Sequence, residues 1–121
     1  MTRSRSDIAE AVIREQEVRQ EQRRLANASI YAAAGAMSGD GSYTDYEMGA
    51  VISADGEVSY VDTDLGIIMG PNGDVSSHDA NSGMTYNWGT GQMLCYDQMF
   101  GATMDLSSGN LSYHRDGHTF S

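Results

Sequence analysis

The sequence has few of the features that mark secreted, disulfide-bonded or membrane-spanning proteins. It contains no lysine, and its single cysteine, Cys95, excludes an intrachain disulfide bond. One unpaired cysteine favours a reducing compartment, so we expect synthesis in the cytoplasm. No apolar run reaches membrane-spanning length, and the N-terminus lacks the apolar core of a signal peptide. We therefore expect no membrane partner.

Common catalytic motifs are also absent. The chain has no Gly-x-Ser-x-Gly, no His-Glu-x-x-His and no phosphate-binding glycine loop. Cys95 has no histidine close to it in sequence, and His78 and His114 are expected to be ordinary surface residues. We predict no catalytic residue and no cofactor, so the chain is not expected to be an enzyme.

The charge is acidic and unevenly distributed. The formal net charge is −10. Six of the seven arginines lie between Arg3 and Arg24, where five acids leave that segment at +1. The rest of the chain contains the other twelve acidic residues and only one arginine, Arg115, so its net charge is −11. Because this acidic part repels phosphates, we expect no nucleic-acid partner, and the interleaved arginines are typical of a solvated helix face.

The dominant pattern is a repeat with a period of 17 or 18 residues, found four times in residues 49–121. Each copy begins with a glycine, contains a second glycine and ends in an aspartate; these aspartates are Asp62, Asp79, Asp97 and Asp116. Asp55-Gly56 and Asn72-Gly73 are typical β-hairpin turns. The sequence therefore predicts an antiparallel β-meander of repeated hairpins. The alternative is a β-solenoid, in which each period forms one coil of a parallel stack.

The predicted register places apolar side chains on both faces of this sheet. With Asp55-Gly56 as a two-residue loop, Val51 lies opposite Tyr60, and the third and fourth copies have three-residue loops. A solvated antiparallel sheet normally buries only one face. We therefore expect a second cover, either other chains or a second sheet formed by folding the meander over.

Residues 1–34 are predicted to form a single N-terminal helix that ends at Gly35 and serves assembly or docking. Residues 35–48 follow as a linker and partial repeat, which gives a mainly β fold with one N-terminal α-helix. The helix carries a narrow apolar stripe, and an isolated helix of this kind is marginal in water. We expect it to bundle with other copies, to dock on a partner or to fold back over the sheet. The stripe consists of Ile8, Ala11, Val18, Leu25 and Ala32.

Two groups of residues are candidate ligand contacts. Trp88, with Tyr86 and Tyr96, has the aromatic character of a sugar-stacking or protein-binding surface, although core or turn packing explains the same residues. A second group places oxygen ligands two residues apart, as Ca²⁺ sites do. Turn capping by Asp and Asn is the interpretation we favour, so no metal site is predicted. The second group consists of Asp62, Asp64, Asp79 and Asn81.

Together these patterns indicate a structural or assembly protein. We expect it to self-associate or to decorate a larger particle, such as a viral capsid, tail or fibre. Its expected partners are other copies of itself and a larger protein assembly. The alternative is a repeat module that binds carbohydrate or Ca²⁺.

Overall fold

The fold consists of two helices followed by ten short strands. The computed structural model describes the backbone of residues 5–121 and the side chains of residues 7–18 and 27–121. The mainly β fold, the N-terminal helix and the antiparallel meander are confirmed. None of the described helices is long and apolar enough to cross a membrane. The elements are α1 (Arg5–Ala26), α2 (Ala28–Ser38), β1 (Tyr43–Asp45), β2 (Ala50–Ile52), β3 (Val58–Asp62), β4 (Ile67–Met69), β5 (Val75–Asp79), β6 (Met84–Asn87), β7 (Met93–Asp97), β8 (Ala102–Asp105), β9 (Leu111–Arg115) and β10 (His118–Phe120).

The sheet closes on itself as a barrel, which the sequence did not predict. Each strand pairs with its neighbours in the chain, and β1 also pairs with β10, with Tyr43 opposite His118. The backbone N–H of Thr44 donates to the carbonyl of Gly117 at 2.7 Å. All strand pairs are antiparallel, so the fold is not a solenoid. Closure leaves no unpaired sheet edge.

Helix α2 fills the lumen of the barrel. Its residues from Ile30 to Gly35 are buried, and the helix contacts strands on several sides of the barrel, namely β1, β2, β3, β7, β8, β9 and β10. Its middle is composed of alanine and glycine, whose small side chains let the backbone approach the strands. The lumen side chains Val51, Ile68 and Leu94 complete the core with this helix.

The single helix predicted over residues 6–34 is in fact two helices. The chain breaks at Asn27 (φ −104°, ψ 5°), where a polar segment gives way to an apolar, alanine-rich one. Gly35 does not end the helix, because α2 continues to Ser38. Gly35 lies against the Thr119 hydroxyl, at a spot where a Cβ atom would meet that oxygen. Close packing against β10, and not helix termination, therefore explains this glycine.

The predicted register was wrong by one residue. In the first hairpin, the N–H of Ser53 donates to the carbonyl of Glu57 at 2.8 Å, and Val51 pairs with Ser59 instead of Tyr60. The loop has three residues, with Gly56 alone at positive φ (87°), whereas a two-residue type I′ turn needs positive φ at both positions. The loops of the third and fourth copies are also one residue longer than predicted. They have four residues and are closed by the Asn87–Gln92 and Asp105–Asn110 backbone pairs.

We predict that Gly35→Ala destabilises the protein, although alanine is the better helix former. The added methyl group would push Thr119 away from α2, and overpacking of this kind costs roughly 1–3 kcal/mol. The free energy of unfolding in urea measures the effect.

Thr119→Ala supplies the matched test, since it removes the hydroxyl that the methyl group would strike. In a double-mutant cycle, Gly35→Ala should cost less when Thr119 is already alanine. Equal costs in the two backgrounds would contradict the close-packing explanation.

Candidate functional site

The outer wall of the barrel carries a belt of apolar side chains. Strand residues alternate between lumen and exterior, and the register places Tyr60 beside Met69 and Met104 beside Leu111 on the exterior. The exposed fraction of Tyr60 is 55 %. Because these residues are cross-strand neighbours, they form patches and are not isolated. We define the outer belt as Tyr43, Tyr60, Ile67, Met69, Met93, Met104, Leu111, Tyr113 and Phe120.

The lumen has the more polar lining. The apolar residues Val51, Ile68 and Leu94 contact α2, but most of the other buried strand side chains that face the lumen are polar. A barrel interior is normally the apolar side of a water-exposed antiparallel sheet. Here the large apolar side chains lie mostly outside, because α2 already occupies the interior space. The buried hydroxyl residues are Ser42, Ser59, Ser76, Thr85, Thr103 and Thr119.

At the end of the barrel where α2 begins, the apolar surface extends onto the loops. We call this end the base; Tyr31 of α2 lies there with its ring centroid 4.9 Å from that of Tyr46. Met48 and Leu65, each just before a loop glycine, line an outer groove of about 580 Å³ together with three belt residues, Tyr60, Ile67 and Met69. Leu65 is 71 % exposed and Phe100, at the equivalent position in a later loop, is 76 % exposed.

The described side chains of α1, residues 7–18, are all exposed. They include Ile8, Ala11 and Val18 of the predicted stripe, together with Val12 and Ile13, which the stripe omitted. Leu25 belongs to the stretch whose side chains the structure does not describe. Ala32 lies buried in the lumen on α2, away from the others. The exposed aliphatic residues of α1 therefore widen the predicted stripe, while Ala32 belongs to the core.

Two of the three candidate aromatic residues lie together. The rings of Trp88 and Tyr86 pack edge to face, with centroids 4.8 Å apart. The Trp88 indole N–H donates to the Ser77 hydroxyl at 2.8 Å, yet the side chain is 69 % exposed. Tyr96 lies at the base near His114, with ring centroids 6.4 Å apart. The structure thus pairs Trp88 with Tyr86 on the exterior and separates them from Tyr96.

The candidate Ca²⁺ ligands lie in the loops at the base, where aspartates bond to their own turns. Asp62 Oδ1 accepts the N–H groups of Asp64 and Leu65, both at 3.0 Å. Asp79 Oδ1 accepts the N–H of Asn81 at 2.9 Å. These bonds agree with the turn-capping interpretation. Across the described residues, no three His, Cys, Asp or Glu side chains are grouped to hold a metal ion.

His78 and His114 are not the surface residues that the sequence suggested, because both lie in the lumen. His78 Nδ1 lies 2.7 Å from the Thr85 hydroxyl, and its Nε2 lies 2.7 Å from the hydroxyl of Ser29 on α2. His114 lies between the Thr103 and Thr119 hydroxyls, at 2.7 and 3.1 Å. The two histidines occupy equivalent repeat positions, so the correct register would have placed both inside.

The Ser29–His78 contact pairs a hydroxyl with a base, an arrangement that nucleophilic enzymes use. The remaining imidazole nitrogen of His78 faces a threonine, however, and no carboxylate holds it. The same clamp of two hydroxyls recurs at His114, where threonines alone supply the oxygens. Packing accounts for both histidines: His78 joins the lumen wall to Ser29 of α2, and His114 joins two strands of the wall through Thr103 and Thr119.

Burial lowers the pKa of both imidazoles. The pKa of His114 falls from its usual value of 6.5 to about 4 because burial disfavours the charged ring. Burial also lowers the pKa of His78, against the opposing attraction of the Asp79 carboxylate. Both rings are therefore neutral at pH 7 in the folded protein.

We predict that His114 makes the barrel less stable in mild acid. The unfolded chain binds a proton near pH 6.5, whereas folded His114 binds one near pH 4, so stability falls as the pH drops through this interval. The His114→Gln variant should therefore lose less stability than the unmodified protein between those two pH values. Urea unfolding at a series of pH values measures the difference.

Ser107→Gln, an exposed substitution that leaves His114 in place, provides the control. It should retain the pH dependence of the unmodified protein. Identical pH profiles for His114→Gln and the unmodified protein would refute the assignment to His114.

Comparisons with known proteins identify no relative. No family model matches the sequence, no curated protein matches it, and no solved structure matches its fold.

Proposed function

We propose that this protein is a structural assembly component that self-associates, with the outer belt and α1 as its contact surfaces. The observation that carries the proposal is the exposure of neighbouring large apolar side chains around the barrel. Contiguous apolar patches on a protein surface mark interaction sites, whereas scattered single residues do not. Closure of the barrel and insertion of α2 cover the lumen face, but nothing in the described chain covers the belt.

A second copy of the chain is the partner that best fits this surface. Six arginines lie in or just before α1, whereas the rest of the chain carries a net charge of −11. The α1 segment of one copy would therefore be attracted to the barrel of another. Within one copy, α1 leaves its described side chains in solvent. Contact between copies brings opposite charges together and covers both apolar surfaces.

The groove at the base supplies a place for such a helix. Its walls combine Met48 and Leu65 of two loops with Tyr60, Ile67 and Met69 of the outer belt. Asp62 lies at the same groove and offers a carboxylate to an arginine. The aliphatic residues Ile8, Ala11 and Val12 of α1 lie on one face of the helix, at i, i+3 and i+4, and can contact the apolar walls. Helix-in-groove binding uses residues at this helical spacing.

Repeated contacts of this kind suit a component of a larger particle. If α1 of each copy binds the barrel of the next, the interface is of the head-to-tail type, which produces rings or open filaments. Incorporation into a viral capsid, tail or fibre is one setting that such geometry would serve. A larger interface with another protein would use the same outer belt.

We predict that the purified full chain is oligomeric at micromolar concentration. Met69→Asp, which places a charge in both the belt and the groove, should shift the mass measured by light scattering towards the monomer. Ser107→Asp adds the same charge in an exposed loop outside the belt and should leave the mass unchanged. A monomeric unmodified protein would contradict the proposal.

Truncation of residues 1–26 tests the contribution of α1. It leaves α2 in the lumen, so the strand signal in circular dichroism should persist while the oligomer weakens. An oligomer of unchanged affinity after truncation would assign assembly to the belt alone and would refute the role of α1.

The exposed Trp88–Tyr86 pair supports a second candidate, a carbohydrate-binding module. An exposed indole ring presents a face on which a sugar can stack. The candidate predicts that Trp88→Ala loses retention on a glycan array while the light-scattering mass is unchanged. Phe100→Ala, which removes an aromatic ring from an exposed loop outside the outer belt, is the matched control. Absence of glycan binding by the unmodified protein would eliminate this candidate.

A further inference from the structure

The end of the barrel opposite the base, which we call the mouth, has a ring of polar residues that follows the repeat. Four hairpins close here through backbone hydrogen bonds, and each closing pair flanks its loop. Hydrogen bonds between side chains connect neighbouring hairpins of this ring. Asn87 Nδ2 donates to Asp74 Oδ2 at 2.7 Å, and Gln92 Nε2 donates to Asp105 Oδ2 at 2.8 Å.

This ring has a gap at Gly70. In the repeat, Gly70 stands where Asn87 and Asp105 stand in the following copies, and the equivalent bridge would join it to Glu57, which is diagonal to it, just before β3. Glycine has no side chain with which to bridge, so the Glu57 carboxylate has no hydrogen-bond or ion-pair partner among the described residues. Asp74 occupies the space beside Gly70, where an added Cβ atom would strike its carboxylate. Two carboxylates therefore lie on either side of the gap.

A cavity of about 220 Å³ opens at this gap. Ser59 lies in its wall with only 6 % of its surface exposed, and no described group hydrogen-bonds its hydroxyl. Among the described residues no fully enclosed side-chain oxygen or nitrogen lacks a partner, so the Ser59 hydroxyl is reached from the cavity, where a ligand can bond to it. Ser59 is thus an independent sign that the cavity accommodates a polar ligand.

The lining of the cavity indicates the charge of that ligand. Glu57 and Asp74 supply carboxylates, and α2 ends at Ser38 in the same wall, with the negative end of its dipole directed at the cavity. Phosphates and other anions would be repelled. No aromatic side chain lines the cavity, which removes the stacking surface that sugars use.

The size and floor of the cavity favour an organic cation over a metal ion. Ca²⁺ sites in proteins are built around several carboxylates, whereas only Glu57 and Asp74 supply carboxylates here, and no three His, Cys, Asp or Glu side chains of the described residues are grouped to hold a metal ion. Met37 and Ile68 give the cavity an apolar wall suited to an alkyl chain. The volume is below the usual range for drug-sized ligands, so the ligand is small.

We propose that the mouth binds a small organic cation, an alkylammonium or alkylguanidinium, between Glu57 and Asp74. The charged group replaces the side chain that Gly70 lacks, and its donors satisfy the two carboxylates and the Ser59 hydroxyl. The alkyl portion lies against Ile68 and Met37. This site is separate from the outer belt, so cation binding can be tested independently of self-association.

Titration of the full chain with n-butylamine, followed by NMR amide shifts, tests the proposal. We expect saturable shifts at Ser59, Ile68 and Gly70 with a dissociation constant of about 1 mM or tighter. Equimolar n-butanol and butyrate, which match the alkyl chain without the positive charge, should produce no saturable shift. Saturation by n-butanol to the same extent, or no saturation by butylamine, would overturn the proposal.

Variants separate the cavity from general electrostatic attraction. Glu57→Gln and Ser59→Ala should each weaken butylamine binding, the former about tenfold or more. Asp55→Asn removes one negative charge from the tip of the same hairpin, outside the cavity lining, and should leave binding unchanged. Equal weakening by Asp55→Asn and Glu57→Gln would show that butylamine is attracted by the net charge of the protein and is not bound in the cavity. CaCl₂ shifting the same amides while butylamine does not would assign the cavity to a metal ion instead.

Discussion

The fit between α2 and the barrel is the constraint on which the rest of the structure depends. Eight strands enclose an interior that their own side chains can fill, whereas a wider barrel leaves space in the middle. Ten strands therefore need a filler, and an alanine-rich helix supplies it. Small residues are required in the middle of that helix, because strands on several sides approach it there. Gly35 beside Thr119 is the point where this requirement is strictest.

The polarity of the barrel follows from this fit. With the lumen occupied, the wall has room inside for serine, threonine and a few aliphatic residues, and the longer apolar side chains lie outside. Most of the buried hydroxyl groups bond to the histidines, to the Met37 sulfur or to the Gly35 carbonyl, whereas the Ser59 hydroxyl lines the cavity at the mouth. The interior is therefore polar, and no fully enclosed side-chain oxygen or nitrogen of the described residues lacks a partner. The outer belt consists of the apolar side chains for which the filled lumen has no room. A single chain can therefore be folded and still expose much apolar surface.

The sequence predicted the elements of the sheet well, because their signals are local. Glycines and aspartates at fixed offsets define each hairpin, and Asp62 and Asp79 cap turns as their residue type suggests. Register was harder to predict, since one residue in loop length exchanges the two faces. That error hid the lumen positions of His78 and His114.

Closure of the barrel and the position of α2 could not be predicted from the repeat. Both depend on contacts between residues far apart in the chain, such as Tyr43 with His118. Of the candidate sites, the exposed stripe on α1 and the pairing of Trp88 with Tyr86 followed from residue type. The mouth was visible in the sequence only as an exception, the glycine at position 70 where the next copies have polar side chains.

The seam between β1 and β10 has a consequence for biosynthesis. Hairpins formed by neighbouring strands can appear as the polypeptide emerges from the ribosome, but the seam must wait for the last strand to be made. Until then, the sheet is open and has two unpaired edge strands. Long-range pairing of this kind slows folding. Before the barrel closes, the edge strands of one nascent chain can therefore pair with those of a neighbouring nascent chain.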